Sequence, residues 1–211
     1  MNEEIRFNAD GATLHGDLMV PDDARGLVIF AHGSGSSRFS SRNRYVADTL
    51  SRTGSYATLL FDLLSESEDS VYANRFDITT LSRRLESVTS TVAERPDLAH
   101  LPIGFFGAST GAAAAIVAAT HLTARVKAVV SRGGRPDLAG DSLRALTAPV
   151  LLIVGGLDDI VIGLNEDALA LIPAENKTLT IVPGATHLFE EPGTLARAAA
   201  LALAWFDRYL V

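Results

Sequence analysis

Residues Gly107-Ala108-Ser109-Thr110-Gly111 have the form G-x-S-x-G, a serine between the two glycines that a sharp turn needs. The run 103–106 ahead of it is β-prone, and the alanine-rich run 112–119 behind it is a strong helix former. Strand, tight turn and helix would thrust Ser109 out at the strand end. They would also seat it at a helix N-terminus, where unpaired N–H groups favour developing negative charge. The chemistry open to such a serine is nucleophilic attack on an acyl carbon. A purely structural reading of the same residues is a strand–helix turn with a serine N-cap.

Attack by a serine needs a base, and the chain has 5 histidines. His15 lies in an opening hairpin, His100 just before a strand and His121 at a helix end, all expected to be surface or capping residues. His32 follows the first central strand. His187 sits in Pro183-Gly184-Ala185-Thr186-His187-Leu188-Phe189, a loop after the last strand, where the order serine, acid, histidine would place the base. The acid must then come from Asp137, Asp158 or Asp159. Asp158 closes the turn Gly155-Gly156-Leu157-Asp158 and is assigned to orient His187, with Asp137 in reserve.

An oxyanion needs two donors. The N–H of Thr110 is one, and the backbone N–H of Ser34, in His32-Gly33-Ser34-Gly35-Ser36-Ser37, is assigned as the other. That glycine-rich stretch lacks the G-K-[ST] ending of a P-loop and does not fit G-x-G-x-x-G, so no nucleotide site is expected. No H-E-x-x-H pattern occurs, and neither metal nor cofactor is called for. Glu190 and Glu191 are expected to favour the positive start of the last helix. Arginines 38, 42, 44, 132 and 135 follow the strands. Arg38 and Arg132 are assigned to a substrate carboxylate, against the alternative that these arginines pair with Asp137, Asp62 or Glu66 and hold loops.

The elements that must position these groups are legible as alternation. Apolar runs at 27–31, 57–61, 103–106, 126–130, 150–154 and 179–182 each stop at a glycine or polar residue, as strands buried on both faces do. Helix-like segments lie between them at 42–52, 74–94, 110–121, 164–171 and 194–210. The first twenty residues suggest an antiparallel edge hairpin around Gly11. The expectation is one α/β domain over 1–211, a mostly parallel sheet of about eight strands with helices on both faces. Only about fifteen residues separate Gly134 from Val150, room for one short helix and no cap domain.

Composition sets the outer limits. The 211 residues are 47% hydrophobic and 20% charged, which excludes intrinsic disorder. A net charge of −7 gives no global attraction for nucleic acid or anionic lipid, and the absence of cysteine excludes thiolate chemistry. The apolar stretches 112–119 and 195–206 fall short of a membrane span, and the acidic start Met1-Asn2-Glu3-Glu4 is unlike a secretory signal. A cytoplasmic location is the expectation. The C-terminal helix, with Trp205, Phe206, Tyr209 and Leu210, is read either as core or as a contact in a homodimer.

Taken together, His32-Gly33, the turn at Ser109, the Gly155-to-Asp158 turn and Gly184-Ala185-Thr186-His187 followed by Phe189 resemble the α/β-hydrolase family, specifically its small dienelactone-hydrolase-like members. The resemblance covers about 27–210. It implies the α/β-hydrolase fold without a cap, and a triad of Ser109 as nucleophile, Asp158 as acid and His187 as base. Dienelactone hydrolase itself uses cysteine, which this chain lacks. What the resemblance implies is therefore hydrolysis of small or short-chain carboxylic esters, with no cofactor. Thioester hydrolysis, acyl transfer and a non-catalytic binding protein of the same fold are the alternatives.

Overall fold

The computed structural model of the chain describes residues 2–210. Eight strands form one sheet in the order β1-β2-β4-β3-β5-β6-β7-β8. β1 (Asn2–Ala9) and β2 (Ala12–Met19) make the edge hairpin, and β2 runs antiparallel to β4 (Ala57–Phe61). Its two-residue turn puts Asp10 and Gly11 at φ 48° and 76°, the conformation that matches strand twist and that an Asp-Gly pair accepts. The other pairings are parallel, through β3 (Leu27–Ala31), β5 (Ile103–Ala108), β6 (Val126–Arg132), β7 (Val150–Gly155) and β8 (Lys177–Val182).

Every residue of β3, β4, β5 and β7 is buried, because side chains alternate into two cores. Leu27, Ile29 and Phe105 face α3 (Ile78–Ala93) and α4 (Thr110–His121); Val28, Phe30 and Phe106 face α1 (Ser41–Gly54) and α6 (Thr194–Tyr209). Trp205, Phe206 and Leu210 belong to this second core. β4 lies on one side of β3 and β5 on the other, so the order reverses at β3 and opens a crevice at the carboxyl ends of β3 and β5.

Three elements differ from the sequence pattern. The segment 74–94 is not one helix: a 3₁₀ turn, Tyr72–Phe76, stops where Asp77 turns its carboxylate onto the N–H (3.2 Å) and hydroxyl (2.7 Å) of Thr80 and starts α3. The helix expected at 164–171 begins earlier, as α5 (Asp159–Leu171); Gly163 interrupts the sequence pattern without breaking the helix. Residues 136–145 form a 3₁₀ segment bent at Gly140 (φ 54°). Among the described residues no insertion forms a cap over the sheet. Among the described residues no helix is long and apolar enough to cross a membrane.

A short helix, α2 (Glu66–Asp69), carries the half-exposed end of a buried ion pair. Arg84 of α3 is 2% exposed and grips Glu68 through two bonds of 2.8 and 2.6 Å. The guanidinium holds the Glu68 carboxyl down to about 2, with Ser65 assisting. A folded pKa below the ordinary value of 4.5 means that this stabilisation is full above pH 4.5 and drains as pH falls toward 2. Glu68→Gln is therefore expected to cost about 3 kcal/mol at pH 7, since it leaves Arg84 buried and unpaired. The gap between wild type and variant should narrow below pH 4. Urea unfolding at pH 7 and pH 3 measures both, and an unchanged gap would refute the assignment.

Candidate active site

Ser109 stands between β5 and α4 at φ 51° and ψ −122°, a region that residues with a side chain rarely enter. The surroundings hold it there. Its N–H donates to Arg132 O (3.3 Å), and its carbonyl accepts from the N–H groups of Ala112 and Arg135 (both 3.1 Å). The flanking glycines are sites of close approach. A Cβ on Gly107 would stand 2.4 Å from Ala112 Cα, and one on Gly111 would stand 2.2 Å from Ala31 O. Although Ser109 occupies the N-cap position of α4, its hydroxyl makes no capping bond. It faces outward instead, into a cavity of about 240 Å³ lined also by Gly33, Ser34, Arg132 and His187.

His187 arrives on the loop after β8. Thr186 O accepts the Phe189 N–H (3.2 Å), which makes His187 and Leu188 the tip of a turn. Glu191 clips that turn shut, taking the N–H (3.0 Å) and the hydroxyl (2.6 Å) of Thr186. Glu190 pairs with Arg42 at 3.3 Å. Both carboxylates are thus spent on the loop and its neighbour, not on α6, whose N-cap is Gly193. Immediately after Thr186, His187 Nδ1 donates to Asp158 Oδ2 at 2.6 Å. The carboxylate fixes the proton on Nδ1 and leaves the Nε2 lone pair free. Gly155, at the end of β7, lets the histidine loop pass close: a Cβ there would stand 2.4 Å from Ala185 O.

Asp158, like Ser109, sits at an N-cap, that of α5, and makes no capping bond. Of the two other candidate acids, Asp137 is engaged by Arg135 through bonds of 2.9 and 2.7 Å, and Asp159 begins α5. Among the described residues no hydrogen bond joins Ser109 Oγ to His187; the two meet as walls of one cavity. Such contacts commonly close only when substrate binds. A larger groove, of about 520 Å³, runs along β2 and α1 and holds none of these groups.

The loop after β3 supplies the opposite wall. Gly33 lies against the turn, where a Cβ would stand 3.0 Å from Ser109 Cβ. The backbone N–H of Ser34 has no protein acceptor among the described residues. His32, 8% exposed, anchors this loop: its Nε2 accepts the Leu63 N–H (3.0 Å), so the proton rests on Nδ1 and is donated to Gly33 O (2.9 Å). Burial keeps the His32 pKa low, as a ring that must accept through one nitrogen requires. Nothing in the sequence beyond the position of His32 after a strand signalled this role.

The two arginines assigned to a substrate part company. Arg38 does not line the Ser109 cavity. Three carboxylates claim it, Asp62 at 2.6 Å and Asp17 and Glu4 at 3.4 Å, and Asp62 also takes its backbone N–H at 2.8 Å. It staples the loop bearing Ser34 to the hairpin and to the end of β4. Arg132 does line the cavity, where Arg42, Asn43, Ser36 and Ser40 join it.

The chain matches the dienelactone hydrolase family over residues 14–209. A solved dienelactone hydrolase from Anabaena variabilis is 49% identical, with a TM-score of 0.95 over 100% of this chain and 99% of its own. The Butyrivibrio proteoclasticus protein Est1E, 16% identical with a TM-score of 0.79 over 97% of this chain and 99% of its own, shares the fold. Two Mycobacterium tuberculosis proteins, provisionally named phosphoribosyl transferases, are 58% identical over 209 residues. The match takes in 99% of this chain and 47% of those proteins, so the chain spans just under half their length.

Proposed function

The chain belongs to the dienelactone hydrolase family, within the α/β-hydrolase fold, and from that premise we propose that it is a serine hydrolase of small carboxylic esters. The observation that carries this reading is the His187–Asp158 bond, with the free imidazole nitrogen and the strained Ser109 in one cavity. His187 takes the Ser109 proton as the hydroxyl oxygen attacks the acyl carbon. The backbone N–H groups of Ser34 and Thr110 hold the oxyanion, and Asp158 stabilises the imidazolium. His187 then protonates the departing alcohol, and water, deprotonated by the same imidazole, releases the acid.

With a cavity of about 240 Å³ and no cap, short acyl chains are favoured. The test is turnover of p-nitrophenyl acetate, butyrate and octanoate, together with the mass of the protein after treatment with a fluorophosphonate. The expected result is hydrolysis of the two short esters, about tenfold lower kcat/KM on octanoate, and one adduct on Ser109. Absence of both turnover and adduct would overturn the reading.

A further inference from the structure

The cavity that holds Ser109 has a second chemical face. Arg132, at the end of β6, is 6% exposed, yet among the described residues no carboxylate reaches it. Its Nη2 approaches Asn43 Oδ1 at a long 3.4 Å, while Nε and Nη1 have no hydrogen-bond acceptor. The other shielded arginines are all matched: Arg38 to Asp62, Arg75 to Asp69, Arg84 to Glu68, Arg95 to Asp97. Beside Arg132 lies the ring of Phe189, 5.7 Å from the guanidinium, on a residue held at φ 57°. A guanidinium taken out of water without a counter-charge is costly. Burial and the nearby Arg42 push its pKa down to about 10, and it stays charged at neutral pH.

The rest of that wall has the same character. Ser34, Ser36, Ser40, Arg42 and Asn43 line it, and no Asp or Glu does. Glu190 reaches Arg42 at 3.3 Å from the exposed side. α1 begins at this wall, with Ser40 as its N-cap and no acidic residue in its first turn. Two guanidinium groups, three hydroxyls and a helix N-terminus offer more donors than the two oxygens of a carboxylate accept. Arg132 adds a positive charge with no carboxylate partner among the described residues, and Arg42, held by Glu190 through Nη1 alone, keeps its remaining donors for the oxygens of a dianion.

We propose that this wall is a phosphate subsite, and that the ester cleaved at Ser109 carries a phosphate or phosphonate group that Arg132 and Arg42 hold while the acyl carbon meets the serine. The proposal rests on the hydrolase reading of Ser109.

Two measurements test it, each on wild type and on Arg132→Met and Arg42→Gln. The first compares kcat/KM for the 4-nitrophenyl esters of 3-phosphonopropionate, succinate (the half ester) and butyrate. The second is calorimetric titration with inorganic phosphate against acetate. Wild type is expected to prefer the phosphonate ester to the butyrate at least tenfold and to bind phosphate over acetate. Arg132→Met is expected to lower the phosphonate-to-butyrate ratio about 10- to 100-fold and to abolish phosphate binding. Arg42→Gln alters a partly exposed side chain, so it keeps the test intact if Arg132→Met does not fold. Turnover of butyrate with no phosphonate preference and no phosphate binding would overturn the subsite and leave the hydrolase reading standing. Phosphate binding lost in the variants, with no ester turned over and no fluorophosphonate adduct on Ser109, would support the subsite and overturn the hydrolase reading. Equal preference for the succinate half ester would make the site one for a carboxylate and overturn the dianion assignment.

Discussion

Alanine at position 109 is expected to lower kcat/KM for p-nitrophenyl acetate by roughly 10⁴- to 10⁶-fold, leaving the His187–Asp158 bond and the fold in place. The substitution removes the attacking oxygen and nothing that holds the turn, because the bonds to Arg132 O, Ala112 N and Arg135 N all run through the backbone of residue 109. Alanine keeps a Cβ at φ 51°, so melting temperature should barely move. Glycine at the same place should be as inactive but more stable, by about 1 kcal/mol or more, since it enters that conformation without strain. In a chain of this length such a gain raises the melting temperature by about 2–4 °C. Assays of the pair therefore separate chemistry from architecture. More than a hundredth of wild-type activity in Ser109→Ala would sink the serine mechanism.

The second large effect belongs to a residue with no side chain. A Cβ on Gly111 would stand 2.2 Å from Ala31 O and 2.4 Å from His32 O, both backbone atoms at the end of β3. No side chain is there to swing aside, so α4 and β3 must part. Gly111→Ala is expected to cost about 3 kcal/mol, a drop of about 10 °C in melting temperature. The displaced peptide leads directly into Gly33 and Ser34. The donors facing Ser109 would move with it, and kcat in the folded fraction should fall about 10²-fold. Gly163→Ala is the control. Its Cβ would meet nothing within 4 Å, inside α5, and should stabilise the chain by up to about 1 kcal/mol. Equal melting temperatures for the two variants would show that close approach at Gly111 does not fix the turn.

The features legible in the sequence were those written in local pattern. Continuous apolar runs marked the buried strands, and glycines at their ends marked the turns on which Ser109, Asp158 and His187 sit. Features that depend on a distant partner were not legible. Arg38 and Arg132 are the same residue type at the same edge of the sheet. What separates them is that Glu4, Asp17 and Asp62 converge on the first and, among the described residues, no carboxylate on the second. Glu190 and Glu191 looked like a helix start because nothing local shows Thr186 or Arg42 waiting for them. Asp77 is a different case: its partner Thr80 is only three residues on, and this local N-cap was hidden inside an apparently continuous helical stretch. The anchoring of the Ser34 loop through His32 depends on Leu63, from a different strand end.

Ser109 and Asp158 each occupy the N-cap of a helix and withhold the side-chain oxygen that would ordinarily cap it. For Asp158 this makes the helix and the imidazole rivals for one carboxylate. If His187 were lost, that carboxylate would be free to turn back onto the first N–H groups of α5. The same holds for glycine at 109, which releases strain. Loss of function at these positions is thus downhill for the fold, and drift alone would carry the chain toward firmer, inert versions of itself. Its active form is the one that continued selection must keep in place.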